Sequence, residues 1–198
     1  MSFLTLQKPD RARLERFVRA QRTLPVTYPV QSNNLTPTPG FRHTKVLDPL
    51  GSGREVFERA VAGLQTWAVY PAWMTLYPHH APIREGEVVV LVAGIAPAWT
   101  LSAVRIVTVF QTPRQFSFTL GTLPQHAVTG AERFSVVWAD DDSVWYRLEA
   151  VSRPRHPLTK LGAPVLRLVQ ARFAVDSVRS LRDFIRDAPA GRSSQTPL

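Results

Sequence analysis

A chain of 198 residues with 44% hydrophobic and 20% charged side chains has the size and composition of one globular domain, which excludes global disorder. No apolar run approaches the roughly 18–20 residues needed to cross a bilayer, and Met1–Asp10 lacks the basic-then-apolar order of a secretory signal, so the expected compartment is the cytoplasm. Zero cysteines exclude disulfides, thiolate nucleophiles and Cys-ligated metals, while a net charge of +9, carried almost entirely by arginine, favours anionic partners.

Asp10–Gln21 places Leu14, Phe17 and Val18 at helical spacing among Arg11, Arg13, Arg16, Arg19 and Arg22, which predicts a short basic amphipathic helix. Leu24–Val30 predicts a strand that Pro25 and Pro29 hold to a sheet edge. Gln31–Leu50, with Asn33, Asn34, Pro37, Pro39 and Gly40 and almost no periodicity, reads as a long loop of the kind that covers a binding site. Gly51-Ser52-Gly53 follows without a P-loop Lys-Ser/Thr or a full dinucleotide pattern. It reads as the turn into a helix over Glu55–Trp67 that buries Val56, Ala60, Leu64 and Trp67.

From Ala68 onward the period changes to two. Candidate strands are Trp73–Tyr77, Glu87–Ala93, Leu101–Gln111, Phe116–Thr122, Ala131–Trp138 and Val144–Ser152, separated by short turns at Pro82, Gly94, Pro113, Pro124 with Gly130, and Asp140-Asp141-Asp142. Connections this short demand antiparallel neighbours, hence a meander long enough to curl. The last element starts near Pro164 and repeats apolar residues through Val165, Leu168, Val169, Phe173, Val178, Leu181 and Ile185 to about Asp187. Residues 1–187 therefore read as one domain, with a basic helix in 1–22 and a loop at 31–50, and 188–198 as a flexible tail.

The fold class expected is α+β: a curved antiparallel sheet of about six or seven strands wrapped around a long C-terminal helix, the layout of the helix-grip fold. That layout leaves room for a cavity between sheet and helix; a filled α+β sandwich is the alternative. Phe116, Phe118 and Leu120, then Phe134, Val136 and Trp138, then Val144, Tyr146 and Leu148 each share one strand face, expected to point toward Phe173. Glu132 shares the face of Phe134, and Arg105 shares that of Leu101 and Ala103, where it is either solvated or a buried cation that needs a carboxylate.

Constellations for catalysis are sparse. The five histidines are scattered, the adjacent His79-His80 point opposite ways in an extended segment, and nothing positions Ser117, His126 and Asp140 as a triad. Nothing in the pattern calls for a cofactor or a metal. Arg172, Arg179, Arg182 and Arg186 lie close to one face of the last helix, without any nucleic-acid motif beside them.

Gly121-Thr122-Leu123-Pro124-Gln125-His126, Gly130-Ala131-Glu132-Arg133-Phe134 and Ser152-Arg153-Pro154 resemble the uncharacterised protein family 0548, a family of unknown function found in bacteria and plants. Gly51-Ser52-Gly53 before a helix ending in Trp67 fits the same pattern, so the resemblance covers roughly Leu24–Ile185. The family usually has Gly in place of Gln125, Pro in place of Ala127 and a second acid in place of Ala131. The resemblance implies no activity. The strand count and last helix are similar to the START/Bet v 1-like and polyketide-cyclase-like superfamily.

In a meander, Thr122, His126, Glu132 and Arg153 fall at one end of the sheet. The expected function is binding of a hydrophobic or amphipathic small molecule between sheet and last helix. Trp67, Phe116, Phe118, Phe134, Tyr146 and Phe173 form apolar walls, Thr122, His126, Glu132 and Arg153 a polar rim, and Gln31–Leu50 a lid. The alternatives are a cyclase, hydratase or isomerase using His126 and Glu132 as proton carriers, and a binder of nucleic acid or anionic lipid through the arginine faces.

Overall fold

The two-residue period after Trp73 builds the body of the molecule. In the computed structural model, which describes residues 4–30, 35–36, 38–95, 97–156, 159 and 161–187, six consecutive strands form an antiparallel meander. They are β3 (Met74–Tyr77), β4 (Val88–Ile95), β5 (Ala98–Thr112), β6 (Gln115–Thr122), β7 (Val128–Trp138) and β8 (Ser143–Pro154). Two further strands complete an eight-stranded sheet: β2 (Arg42–Ser52) pairs with β8 at one edge, and the short β1 (Leu4–Thr5) pairs with β5. Helix α1 (Arg11–Gln21) packs on one face, and α2 (Arg54–Gln65) and α3 (Ala163–Asp187) on the other. This is the helix-grip fold. No helix among the described residues is long and apolar enough to cross a membrane.

The basic N-terminal helix docks through its apolar stripe. Asp10 accepts from the Arg13 N–H as its N-cap, and Leu14, Phe17 and Val18 cover Val88, Val90, Val92, Leu101 and Ala103 on the outer sheet face. That settles Arg105. Its Nη2 donates to the Arg22 carbonyl at 2.7 Å, placing a cation on the last turn of α1 rather than against a buried carboxylate.

Two expectations fail upstream. Leu24–Val30 is not a strand. It crosses the outer face with one ladder-like bond, Thr27 N–H to the Thr122 carbonyl at 2.8 Å, and Val26 packs where Gly121 has no side chain. Gln31–Leu50 is not one long loop. Residues 31–34 and 37 lie outside the described residues, and from Arg42 onward the chain is strand β2, in register from Arg42↔Ser152 to Ser52↔Ser143. Its alternation escapes notice because Pro49 and Gly51 interrupt it at a bulge. The tail expected at 188–198 lies outside the described residues.

The last helix follows its predicted span, but its buried face is shifted. Val178, Leu181 and Ile185 enter the core, and stepping back by three or four residues from them leads to Ala174, Gln170 and Leu166. Val165 and Leu168 therefore turn outward, 55% and 71% exposed. Two close contacts fix the helix. Gly63 of α2 leaves no room for a Cβ against Leu181, and Arg182 pairs with Asp48 of β2 while donating to the Pro49 carbonyl.

Candidate functional site

Cross-strand register sorts the inner sheet face into rows. The row Phe116, Val136, Tyr146 and the row Phe118, Phe134, Leu148 are large and fully buried. The next row, Leu120, Glu132, Ala150, Thr44, is mixed, and beyond it stand Gly130 and Ser152 on neighbouring strands with Thr122 beside them. Ala93, Thr100 and Ser102 continue this run of small side chains across β4 and β5. Where side chains are large the sheet packs solidly against α2 and α3. Where they are small, a cavity of about 190 Å³ opens under the first half of α3.

Its walls are Leu91, Val104, Leu120, Leu148, Met74 and, from α3, Leu166, Val169 and Phe173. Trp73 closes one side and is held by α3, since its indole N–H donates to Asp176 at 2.9 Å while the Arg172 guanidinium lies 4.8 Å over its ring.

Four polar groups define the interior chemistry. Glu132 faces the cavity without a hydrogen-bond donor or ion-pair partner among the described residues, and burial pushes its carboxyl up from 4.5 to about 8. Its protonated, uncharged form is therefore favoured at pH 7. The Tyr70 hydroxyl is likewise buried without a partner; burial, then the proximity of Glu132, drives its pKa well above the usual value. The His126 imidazole is pushed down by burial to about 4. Its Nδ1 accepts from the Val128 N–H at 3.1 Å, so the proton of the neutral ring sits on Nε2 as a donor. Thr122, by contrast, has no capacity left. Its Oγ1 donates to the Gly130 carbonyl at 3.0 Å, accepts from the Gly130 N–H at 2.9 Å and shares a 2.6 Å bond with Thr27 Oγ1.

Of the residues singled out from sequence, Thr122, His126, Glu132 and Phe173 line this cavity. Phe116, Phe118, Phe134, Tyr146 and Trp67 belong instead to the packed core. Phe118 and Phe134 stack at 5.1 Å, the Tyr146 hydroxyl is satisfied by Ser177 at 2.6 Å, and Trp67 sits edge-on to Phe118 with its N–H on the Ala81 carbonyl at 2.7 Å. Arg153 projects to the outer face, opposite Ser152, because successive strand residues alternate. There its guanidinium lies 4.8 Å over the Phe41 ring, and it pairs in register with Thr129, not with Glu132. Sequence reasoning does not single out Tyr70 or Trp73 as site residues, and misses the small residues altogether. Their signal was present: the inner positions Ala93, Thr100, Ser102, Thr122, Gly130, Ala150 and Ser152 are all Gly, Ala, Ser or Thr.

Gly130 shows how tightly this end is built. A Cβ there would stand 1.9 Å from the Val151 carbonyl oxygen on the neighbouring strand, so Gly130→Ala must part β7 from β8. We expect it to cost at least about 2 kcal/mol in chemical denaturation. An unchanged midpoint would contradict this packing.

Residues 26–180 match the model of a domain of unknown function, DUF1990. The chain is 33% identical over 145 residues to a UPF0548 protein of Dictyostelium discoideum, covering 67% of each, and 30% identical over 140 residues to one of Arabidopsis thaliana, covering 68% of this chain and 67% of that one. Among solved structures, the aromatase/cyclase Zhui from Streptomyces sp. R1128 superposes with a TM-score of 0.53 at 15% identity, over 76% of this chain and 98% of that one, a likeness of fold alone. The chain belongs to the DUF1990, or UPF0548, family.

Proposed function

We propose that the protein binds one hydrophobic or amphipathic small molecule in this cavity, with a hydroxyl or carbonyl of the ligand facing Glu132 and Tyr70. The observation that carries the reading is the pair of unpartnered polar groups, Glu132 and Tyr70, in a hollow walled mainly by apolar side chains. A buried hydroxyl left without a hydrogen bond, as that of Tyr70 is, costs about 1–3 kcal/mol, which a ligand oxygen returns. A neutral carboxylic acid both donates and accepts, so the pair suits an uncharged polar group. Leu91, Leu120, Leu148 and Phe173 receive the apolar body.

Isothermal titration with 1-octanol tests this. Saturable 1:1 binding is expected, abolished by Ala150→Phe, which fills the mixed row, and weakened about five- to tenfold by Tyr70→Phe, the loss of about one hydrogen bond. Equal titrations of the wild type and a cooperatively folded Ala150→Phe would place the binding elsewhere and overturn the reading.

One observation favours a second reading, an acid–base enzyme of the cyclase, hydratase or isomerase type. A carboxyl titrating near 8 matches the proton-transfer requirement at neutral pH. His126, titrating near 4, serves such chemistry as a neutral donor and not as a base. Glu132→Gln separates the two: a carrier keeps its ligand, whereas an enzyme keeps binding and loses turnover.

A further inference from the structure

At the end of β8 the cavity adjoins a second hollow. Ser152, Leu166 and Gln170 line both the cavity and this hollow of about 530 Å³, whose other walls include Phe41, Arg42 and Arg167. That groove shares Pro154 with a third hollow lined by Thr27, Thr129, Arg153 and Arg155. Arg42 and Arg167 thus line the groove beside the cavity, and Arg153 and Arg155 line the neighbouring hollow on the outer face. Gln170 reaches across it to donate to Ser152 Oγ at 3.2 Å, bridging helix and sheet where the two hollows meet.

These guanidinium groups are uncompensated. Most other arginines of α2 and α3 are paired: Arg54 with Glu58, Arg59 with Glu55, Arg172 and Arg179 with Asp176, Arg182 with Asp48, Arg186 with Asp183 and Asp187. Among the described residues, which include every Asp and Glu of the chain, none pairs with Arg42, Arg153, Arg155 or Arg167. Glu149, on the same outer face as Arg153, is held by Lys45 at 3.4 Å. A concave site lined by one sign of charge concentrates its field, and arginine holds a phosphate-like group through two parallel N–H donors.

We propose that the ligand is an amphipathic anion: its apolar body lies in the cavity and its phosphate or carboxylate head lies in the groove, between Arg42 and Arg167. This inference rests on the cavity reading and adds the chemical class of the ligand. It also divides the labour of the polar groups. The neutral set inside, Glu132, Tyr70 and His126, faces uncharged oxygens, and the cationic set outside holds the charge where water still reaches it. Arg153, steadied over Phe41, and Arg155 extend the positive field around the bend.

Titration of the wild type with octyl phosphate, 1-octanol and inorganic phosphate tests the proposal. Octyl phosphate is expected to bind about tenfold tighter than octanol at low ionic strength, with the margin shrinking as salt is added. Inorganic phosphate alone is expected to bind far more weakly, because the tail supplies the burial. The Arg42→Gln/Arg167→Gln double variant should lose the preference while its octanol affinity stays unchanged, and Arg16→Gln on α1 should keep it. Octanol binding in the cavity with no preference for octyl phosphate would overturn this inference and leave the cavity reading standing. Failure of both ligands would overturn both. Binding to vesicles of anionic lipid that survives Ala150→Phe, without binding of monomeric octyl phosphate, would show a docking surface instead and also overturn it.

Discussion

Raising the pH from 6.5 to 8.5 is expected to lower the unfolding free energy by about 2 kcal/mol, and Glu132→Gln is expected to remove that slope. A carboxyl whose folded value of about 8 lies above its ordinary 4.5 holds a proton in the folded state that the unfolded chain releases. Stability therefore falls as pH rises through that window, by up to about 5 kcal/mol over its whole width at 1.36 kcal/mol per unit. His126 works in the opposite sense. Its folded value of about 4 lies below 6.5, so the unfolded chain takes the proton first and stability falls as the solution is acidified through 6.5 to 4. The two slopes oppose each other up to about 7.5, where the unfolded imidazole has lost its proton, and above that Glu132 dominates. Urea titrations at pH 6.5, 7.5 and 8.5 measure this. A flat wild-type profile, or a slope that survives in Glu132→Gln, would show that the carboxyl has a partner or open water.

The second large effect concerns the aromatic rows. Phe134→Ala is expected to destabilise the protein by about 3–5 kcal/mol, since full truncation of a buried Phe removes its transfer energy and leaves a hole. Its ring is fully buried, stacked on Phe118 at 5.1 Å and tilted against Tyr70 at 5.8 Å. Ala150→Phe, two strand positions from the Leu148 that pairs with Phe134, is expected to change stability by less than about 1.5 kcal/mol, because the space it enters is open. The contrast between neighbouring rows is the physical content of the claim that one end of the sheet is filled and the other hollow. Denaturation midpoints for the two variants decide it, and a mild Phe134→Ala beside a severe Ala150→Phe would reverse the map.

Local pattern was enough to give the helix-grip architecture, and the reason is physical. Six consecutive strands joined without helical crossovers admit little but a meander, and the last helix is the one long amphipathic element left to cover it. Strand β2 was illegible because its bulge at Pro49 and Gly51 breaks the period that identifies strands. The site was legible by half. Thr122, His126 and Glu132 come together because meander topology fixes which strand ends meet. Arg153 was misplaced by one step of alternation, which sends a side chain to the other face. The aromatics were misassigned because large apolar side chains fill space, whereas a cavity is written in Gly130, Ala150, Ser152 and Thr100. Nothing in the sequence shows that the Thr122 hydroxyl is consumed by Gly130 and Thr27, since that depends on partners 8 and 95 residues away.

Native mass spectrometry of the protein, purified gently from the organism that makes it, tests the central claim most directly. The account predicts a one-to-one adduct with a small amphipathic molecule in the wild type and the bare mass in Ala150→Phe. Bare mass from both, or the same adduct on both, would contradict it.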